Sequence, residues 1–228
     1  MADLADAAGR LVAGPVAALT RVRGAKPMHP RGTLFTAVLE RTGLAAGIPW
    51  LDAAGRDDVL VRISRGAGLP PALPDLLGLA LRVPGERPVD LLLSSTGRGR
   101  WTRRVPVLRR DAATTYGSIM AYRSARGPVL LAADPAGGPL PTDGDRLAAA
   151  APGRVVRLSA AVGRGPWQLF GTVTLGEPST PPDPELPFDA VQHPPPGLVA
   201  DGPMARFRRP AYAAARAARG VGSETGLR

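Results

Sequence analysis

The chain has 228 residues, 44% of them hydrophobic and 21% charged, which is enough for one domain with its own core. It has no cysteine, so disulfides and thiolate chemistry are excluded, and with only two histidines, His29 and His193, a histidine-rich metal centre is not expected. The formal charge is +10, but Lys26 is the only lysine among 29 basic residues, a skew that goes with the heavy use of Ala, Gly and Pro in high-GC, actinobacterial-type coding.

Aromatic residues are 4% of the chain, too few to supply the stacking on which single-strand binders rely, so nucleic acid is not an expected partner, and with the basic residues read as a solvated surface no membrane is expected either. The first 24 residues lack the basic start and long apolar middle of a signal peptide, and no apolar run reaches transmembrane length. The expected location is the cytoplasm, with homo-oligomerisation left open.

Residues 1–24 carry Leu4, Leu11, Val12, Val16 and Leu19 at helical spacing and read as a short amphipathic helix. Seven strand-like runs follow, at 33–39, 58–64, 76–83, 89–94, 128–133, 155–162 and 167–175; most are bounded by Gly, Pro or Asp. That many short strands between residues 25 and 176 predict a closed or nearly closed barrel. Residues 111–125 interrupt them and read as a helix or helical turn with Asp111 as N-cap. From 177 to 202 the chain is so rich in proline that it reads as extended, wrapping the surface or linking. A helix over 203–220, broken or restarted at Pro210, and a disordered tail at 221–228 complete the reading.

Four ordered segments carry a family resemblance. The string Lys26-Pro-Met-His29-Pro-Arg-Gly32 stands just before the first strand. A lone histidine there is more often structural than catalytic. Val61-Arg62-Ile63-Ser64 comes next, then Asp75-Leu-Leu-Gly78-Leu-Ala80-Leu-Arg82 and Asp90-Leu-Leu-Leu-Ser94-Ser95-Thr96. At the far end stand Pro196-Gly197-Leu198 and Arg208-Arg209-Pro210-Ala211-Tyr212, with Arg216 and Arg219 beyond. Residues four apart on a helix share a face, so Arg208 can reach the Tyr212 oxygen.

In order and spacing these segments resemble the heme-dependent catalases, and the chain is identified as a divergent, stripped-down member of that superfamily. The resemblance implies a mainly β fold with peripheral helices (α+β): an antiparallel barrel, an extended wrapping segment and a C-terminal heme helix. It also implies heme b as cofactor, and a hydroperoxide as substrate or an apolar small molecule as ligand. His29 would be the general base, taking a proton from hydroperoxide and returning it to the leaving oxygen. Ser64 would orient the imidazole, while Arg62 and Lys26 face the propionates. Ser95 falls at the distal asparagine, and Trp101 is the nearest candidate for the aromatic over the distal face. Tyr212 would be the axial phenolate ligand of iron, with Arg208 and Arg216 beside it.

Serine is shorter and less fixed than the asparagine amide, and losing one oriented polar group at the reacting atoms typically costs about 10²–10³ in rate. Peroxidase-type turnover is therefore expected over true catalase activity. Two alternatives stand beside it: a degenerate barrel that binds heme or another small molecule without catalysis, and a metal-free phosphodiesterase-type hydrolase gripping phosphate with arginines.

Overall fold

The computed structural model describes residues 31–182 and 186–200. The N-terminal helix, the C-terminal helix and the tail anticipated from the sequence lie outside the described residues, as do Lys26, His29, Arg208, Tyr212 and Arg216.

All seven strand-like runs form strands. In chain order these are β1 (Arg31–Arg41), β2 (Gly55–Arg65), β3 (Leu77–Val83) and β4 (Val89–Ser95). Two short strands follow, β5 (Tyr116–Gly117) and β6 (Tyr122–Ser124). Then come β7 (Gly127–Pro135), β8 (Val155–Val162), β9 (Gln168–Pro178) and the two-residue β10 (Val199–Ala200). Helices are minor: α1 (Pro49–Asp52), α2 (Gly144–Ala150) and a 3-10 turn at Thr102–Arg104.

Every pairing is antiparallel. Eight strands run in the order β7-β5-β4-β3-β2-β1-β9-β8, and β8 pairs back onto β7 to close the barrel. β6 pairs with the first residues of β7, and β10 with β6. Closure leaves none of the eight with an open edge, which is how short β-rich chains avoid edge-to-edge association.

The two-residue period of the strands builds the interior. Phe35 faces Val61, Val61 faces Leu81 and Leu81 faces Leu91, giving one buried layer; Thr33, Ile63, Leu79 and Leu93 make the next. Each large apolar side chain in such a layer contributes about 1.5–3 kcal/mol when withdrawn from water. Leu131, Leu158 and Val173 fill the opposite wall from β7, β8 and β9.

The segment 111–125 is not helical. Asp111 Oδ1 accepts from the amide two residues on, Ala113 (2.8 Å), and from Leu140 N (2.8 Å), an Asx-type turn in place of an N-cap. Tyr116 and Gly117 then fill the gap between β4 and β7, pairing with Ser95 and Ser94 on one side and Ala133 and Ala132 on the other. Ile119, with φ 53, turns the chain toward β6. Without this two-residue strand the barrel would not close between β4 and β7, and that demand overrides a local pattern compatible with helix.

The proline-rich segment packs on the barrel wall. Pro182 O accepts from Leu34 N (2.7 Å), Pro187 O from Arg82 Nη2 (2.7 Å), His193 O from Asp90 N (2.8 Å) and Pro196 O from Trp50 N (3.3 Å). Asp90, buried beneath it, is the clasp: its carboxylate accepts from Arg82 Nε (2.7 Å) and Nη2 (2.5 Å) and from Asp189 N (2.7 Å), and meets His193 Nδ1 at 3.1 Å. Arg82 also lies over the Phe188 ring at 5.1 Å.

Candidate functional site

The outer wall of β1–β4 carries the motif residues. Gly32 is opposite Ser64, Ser64 opposite Gly78, and Gly78 opposite Ser94; one row along, Leu34, Arg62, Ala80 and Leu92 are opposite one another. Directly opposed residues share a face, and the layer of Phe35 and Val61 points the other way. Arg62 and Ser64 therefore project together from an outer shelf whose other members in these two rows are Gly32, Gly78 and Ser94 beside Ser64, and Ala80 beside Arg62 with Leu34 and Leu92 flanking them. Both are buried, Arg62 at 6% and Ser64 at 7% exposure.

Gly32 is what lets Arg62 lie flat. A Cβ on residue 32 would stand 2.7 Å from Arg62 Cζ and 2.8 Å from its Nη2, so the guanidinium occupies the place of the missing side chain. Ser64 Oγ reaches Gly78 O across the strand pair at 3.5 Å. Around the rim, a cavity of about 140 Å³ is lined by Gly32, Ile63, Ser64, Leu77 and Leu147, among others.

Ser95 does not join the shelf. Next to Ser94 on the same strand, it points to the opposite face, is fully buried, accepts from Leu77 N (3.0 Å) and donates its one proton to Val107 O (2.7 Å). Its hydroxyl splices β3 to the chain after β4. The hydroxyl that shares a face with Ser64 is that of Ser94, one residue earlier. The two-residue period of β4 carried this information, and matching a double-polar motif by position alone missed it.

Trp101 is also elsewhere. It is 86% exposed, at the start of the 3-10 turn, in a loop whose Arg103 carbonyl lies against Gly117 of β5. Pro196-Gly197-Leu198 does meet the barrel: Gly197 has φ 82, and a Cβ there would stand 2.5 Å from Pro49 Cδ, so only glycine fits both the backbone and the contact with α1. Among the described residues no cluster of three His, Cys, Asp or Glu side chains forms a metal site. No helix among them is long and apolar enough to cross a membrane.

The barrel superimposes on that of catalase A from Saccharomyces cerevisiae with a TM-score of 0.57 at 13% identity, over 83% of this chain and 60% of that one. The fold is catalase-like. A second fungal catalase gives a TM-score of 0.57 at 14% identity, over 83% of this chain and 58% of its own. The catalase-like chain thus spans less than two thirds of the length of either. No protein-family model and no curated protein sequence matches it.

A heme is the group that such a fold brings into question, and the described shelf fits one. A planar macrocycle needs a largely apolar wall with little projecting from it, for which Gly32, Gly78, Ala80 and Ser94 leave room beside Leu34 and Leu92, and a cation for a propionate, which Arg62 would supply. The residues expected on the iron side, Tyr212 and Arg208, lie outside the described residues.

Proposed function

We propose that this catalase-like barrel binds heme b against the outer wall of β1–β4 and consumes hydroperoxides by peroxidase-type turnover, with weak or no true catalase activity. The observation that carries the reading is the register that sets Arg62 and Ser64 side by side on one face of the wall, next to Gly32, Gly78 and Ala80. When bound, heme would supply the redox chemistry of oxygen–oxygen cleavage.

The chain's own residues would do the rest. Arg62 and Lys26 would pair with the propionates, and Tyr212, its charge stabilised by Arg208 and Arg216, would hold the iron. Ser64 would fix the orientation of the His29 imidazole. His29 would take the proton from the hydroperoxide O–H and return it to the leaving oxygen. With Ser94 on the shelf where an amide would hold peroxide more firmly, and Ser95 engaged by backbone, the geometry favours peroxidase over catalase output.

The same serine pair gives one alternative its support: a barrel that retains heme, or another flat ligand, without turnover. Both are tested by visible absorption of the full chain reconstituted with hemin, beside Tyr212→Phe and Arg62→Ala. Stoichiometric uptake with a phenolate charge-transfer band, lost in Tyr212→Phe and weakened in Arg62→Ala, supports the heme site. Peroxide consumption that His29→Ala abolishes then separates catalysis from mere binding. Failure of the wild type to take up hemin overturns the proposal.

A further inference from the structure

Away from the shelf, residues 97–110 read GRGRWTRRVPVLRR, six arginines with no acidic residue. Two of the six are spoken for. Arg98 pairs with Asp134 at 3.2 Å. Arg103 is buried, donating to Gly165 O (3.0 Å) and Gly163 O (3.2 Å) and lying over the Trp167 ring at 5.6 Å. The other four, Arg100, Arg104, Arg109 and Arg110, are exposed and have no acidic partner among the described residues.

The loop that carries them is fixed at several points. Val107 N donates to Ser95 O (2.8 Å), Trp167 Nε1 to Arg98 O (2.9 Å), and Arg109 exchanges both backbone bonds with Asp75 (2.9 and 2.8 Å). Asp75, buried, also accepts from Ala67 N (2.9 Å) and Leu69 N (3.1 Å), so the neighbouring loop 66–76 is shaped by the same residue. Ordered this way, the two loops expose Trp101 (86%), Leu108 (61%), Val105 (50%), Leu73 (46%) and Leu69 (41%). Those are five of the eight large hydrophobic side chains exposed among the described residues, so apolar exposure is concentrated here and not scattered over the barrel.

Charge and apolar tips together decide the partner. Like charge has accumulated at some electrostatic cost: burial, then Arg104 and Arg100, hold the Arg103 guanidinium below its ordinary pKa. An anionic surface relieves that repulsion. A nucleic acid would stack its bases on aromatic rings, yet four of the five exposed tips are aliphatic and offer no stacking plane. An anionic bilayer uses both features, taking Trp and aliphatic tips into its interfacial region and arginines against its headgroups.

We propose that the joined loops 66–76 and 97–110 dock the protein on an anionic lipid bilayer, with Trp101, Val105 and Leu108 at headgroup depth and Arg100, Arg104, Arg109 and Arg110 on the lipid charges. This revises the expectation, drawn from overall composition, that no membrane is involved. It stands independently of heme binding.

The test is co-sedimentation of the full chain with vesicles of phosphatidylcholine plus phosphatidylserine, against vesicles of phosphatidylcholine alone. Binding is expected only to the first, weakening with salt and shifting Trp101 emission to the blue. Each arginine near the surface contributes about fivefold, so Arg100→Ala/Arg104→Ala should bind about 30-fold more weakly, and the double lysine variant should largely restore binding. Trp101→Ala should lose about tenfold. These side chains are exposed, so the thermal midpoint of each variant should match the wild type. Equal binding to both vesicle types, or variants that bind like the wild type, overturns the proposal. An oligonucleotide bound tightly while the vesicles are ignored overturns it too, and assigns the surface to nucleic acid.

Discussion

Asp90→Ala is expected to be the most damaging single change to the wrapping segment. Asp90 is fully buried and Arg82 keeps 13% side-chain exposure, so the carboxylate is the counter-charge of a largely desolvated guanidinium. It also receives the Asp189 amide and His193 Nδ1. Removing one member of such a pair leaves the other buried and unmatched, a loss of about 3–5 kcal/mol. For a chain of this size that lowers the thermal midpoint by about 10 °C. Chemical denaturation followed by far-UV circular dichroism would give the free energy, and limited proteolysis would locate the first opening at 186–200. The double variant Arg82→Met/Asp90→Leu removes both charges and should lose less than Asp90→Ala alone. A loss below about 1 kcal/mol for Asp90→Ala would refute the clasp, because no buried pair of this kind is that inexpensive to break.

Ser95→Ala is expected to destabilise by about 1–3 kcal/mol, since it strands Leu77 N and Val107 O, and to leave hemin uptake unchanged; Ser94→Ala should do the reverse, as paired melting and hemin titrations would reveal. Gly32→Ala would displace the buried guanidinium of Arg62, so it should destabilise by about 1–3 kcal/mol and also lower hemin affinity, both read from the same two assays. Burial, then the Asp111 charge, pushes the Tyr116 phenol far above its usual range, and its hydroxyl donates to Ala112 O (2.8 Å). The unfolded chain releases this proton above about pH 10 while the folded one keeps it, so stability should hold below that pH and fall beyond it. In Tyr116→Phe the alkaline slope should flatten, and an unchanged slope in pH-dependent denaturation would contradict the assignment.

Much of the barrel could be read from the chain. Alternating apolar residues at 33–39 and 58–64 and the turn residues between runs specify strands, because a pleated strand half-buried in a core imposes a two-residue period on sequence. The order of Arg62, Ser64 and the 75–82 and 90–96 segments carried the resemblance to catalases, while the register of the folded strands sets Arg62, Ser64, Gly78 and Ser94 on one wall. The sequence could not show that Tyr116 and Gly117 would be drawn from a helix-compatible stretch into a strand, since that choice belongs to the gap between β4 and β7. Matching the motif by position did not separate Ser94 from Ser95, although the two-residue period of the strand distinguishes the one that faces outward with Ser64 from the one that faces inward to the Leu77 amide. Composition determined the excess of arginine; only the folded loops decided that four arginines and Trp101 would be exposed together while Arg103 was buried. Local pattern fixes which residues can form a strand, whereas the closing of the barrel fixes which side of it each one occupies.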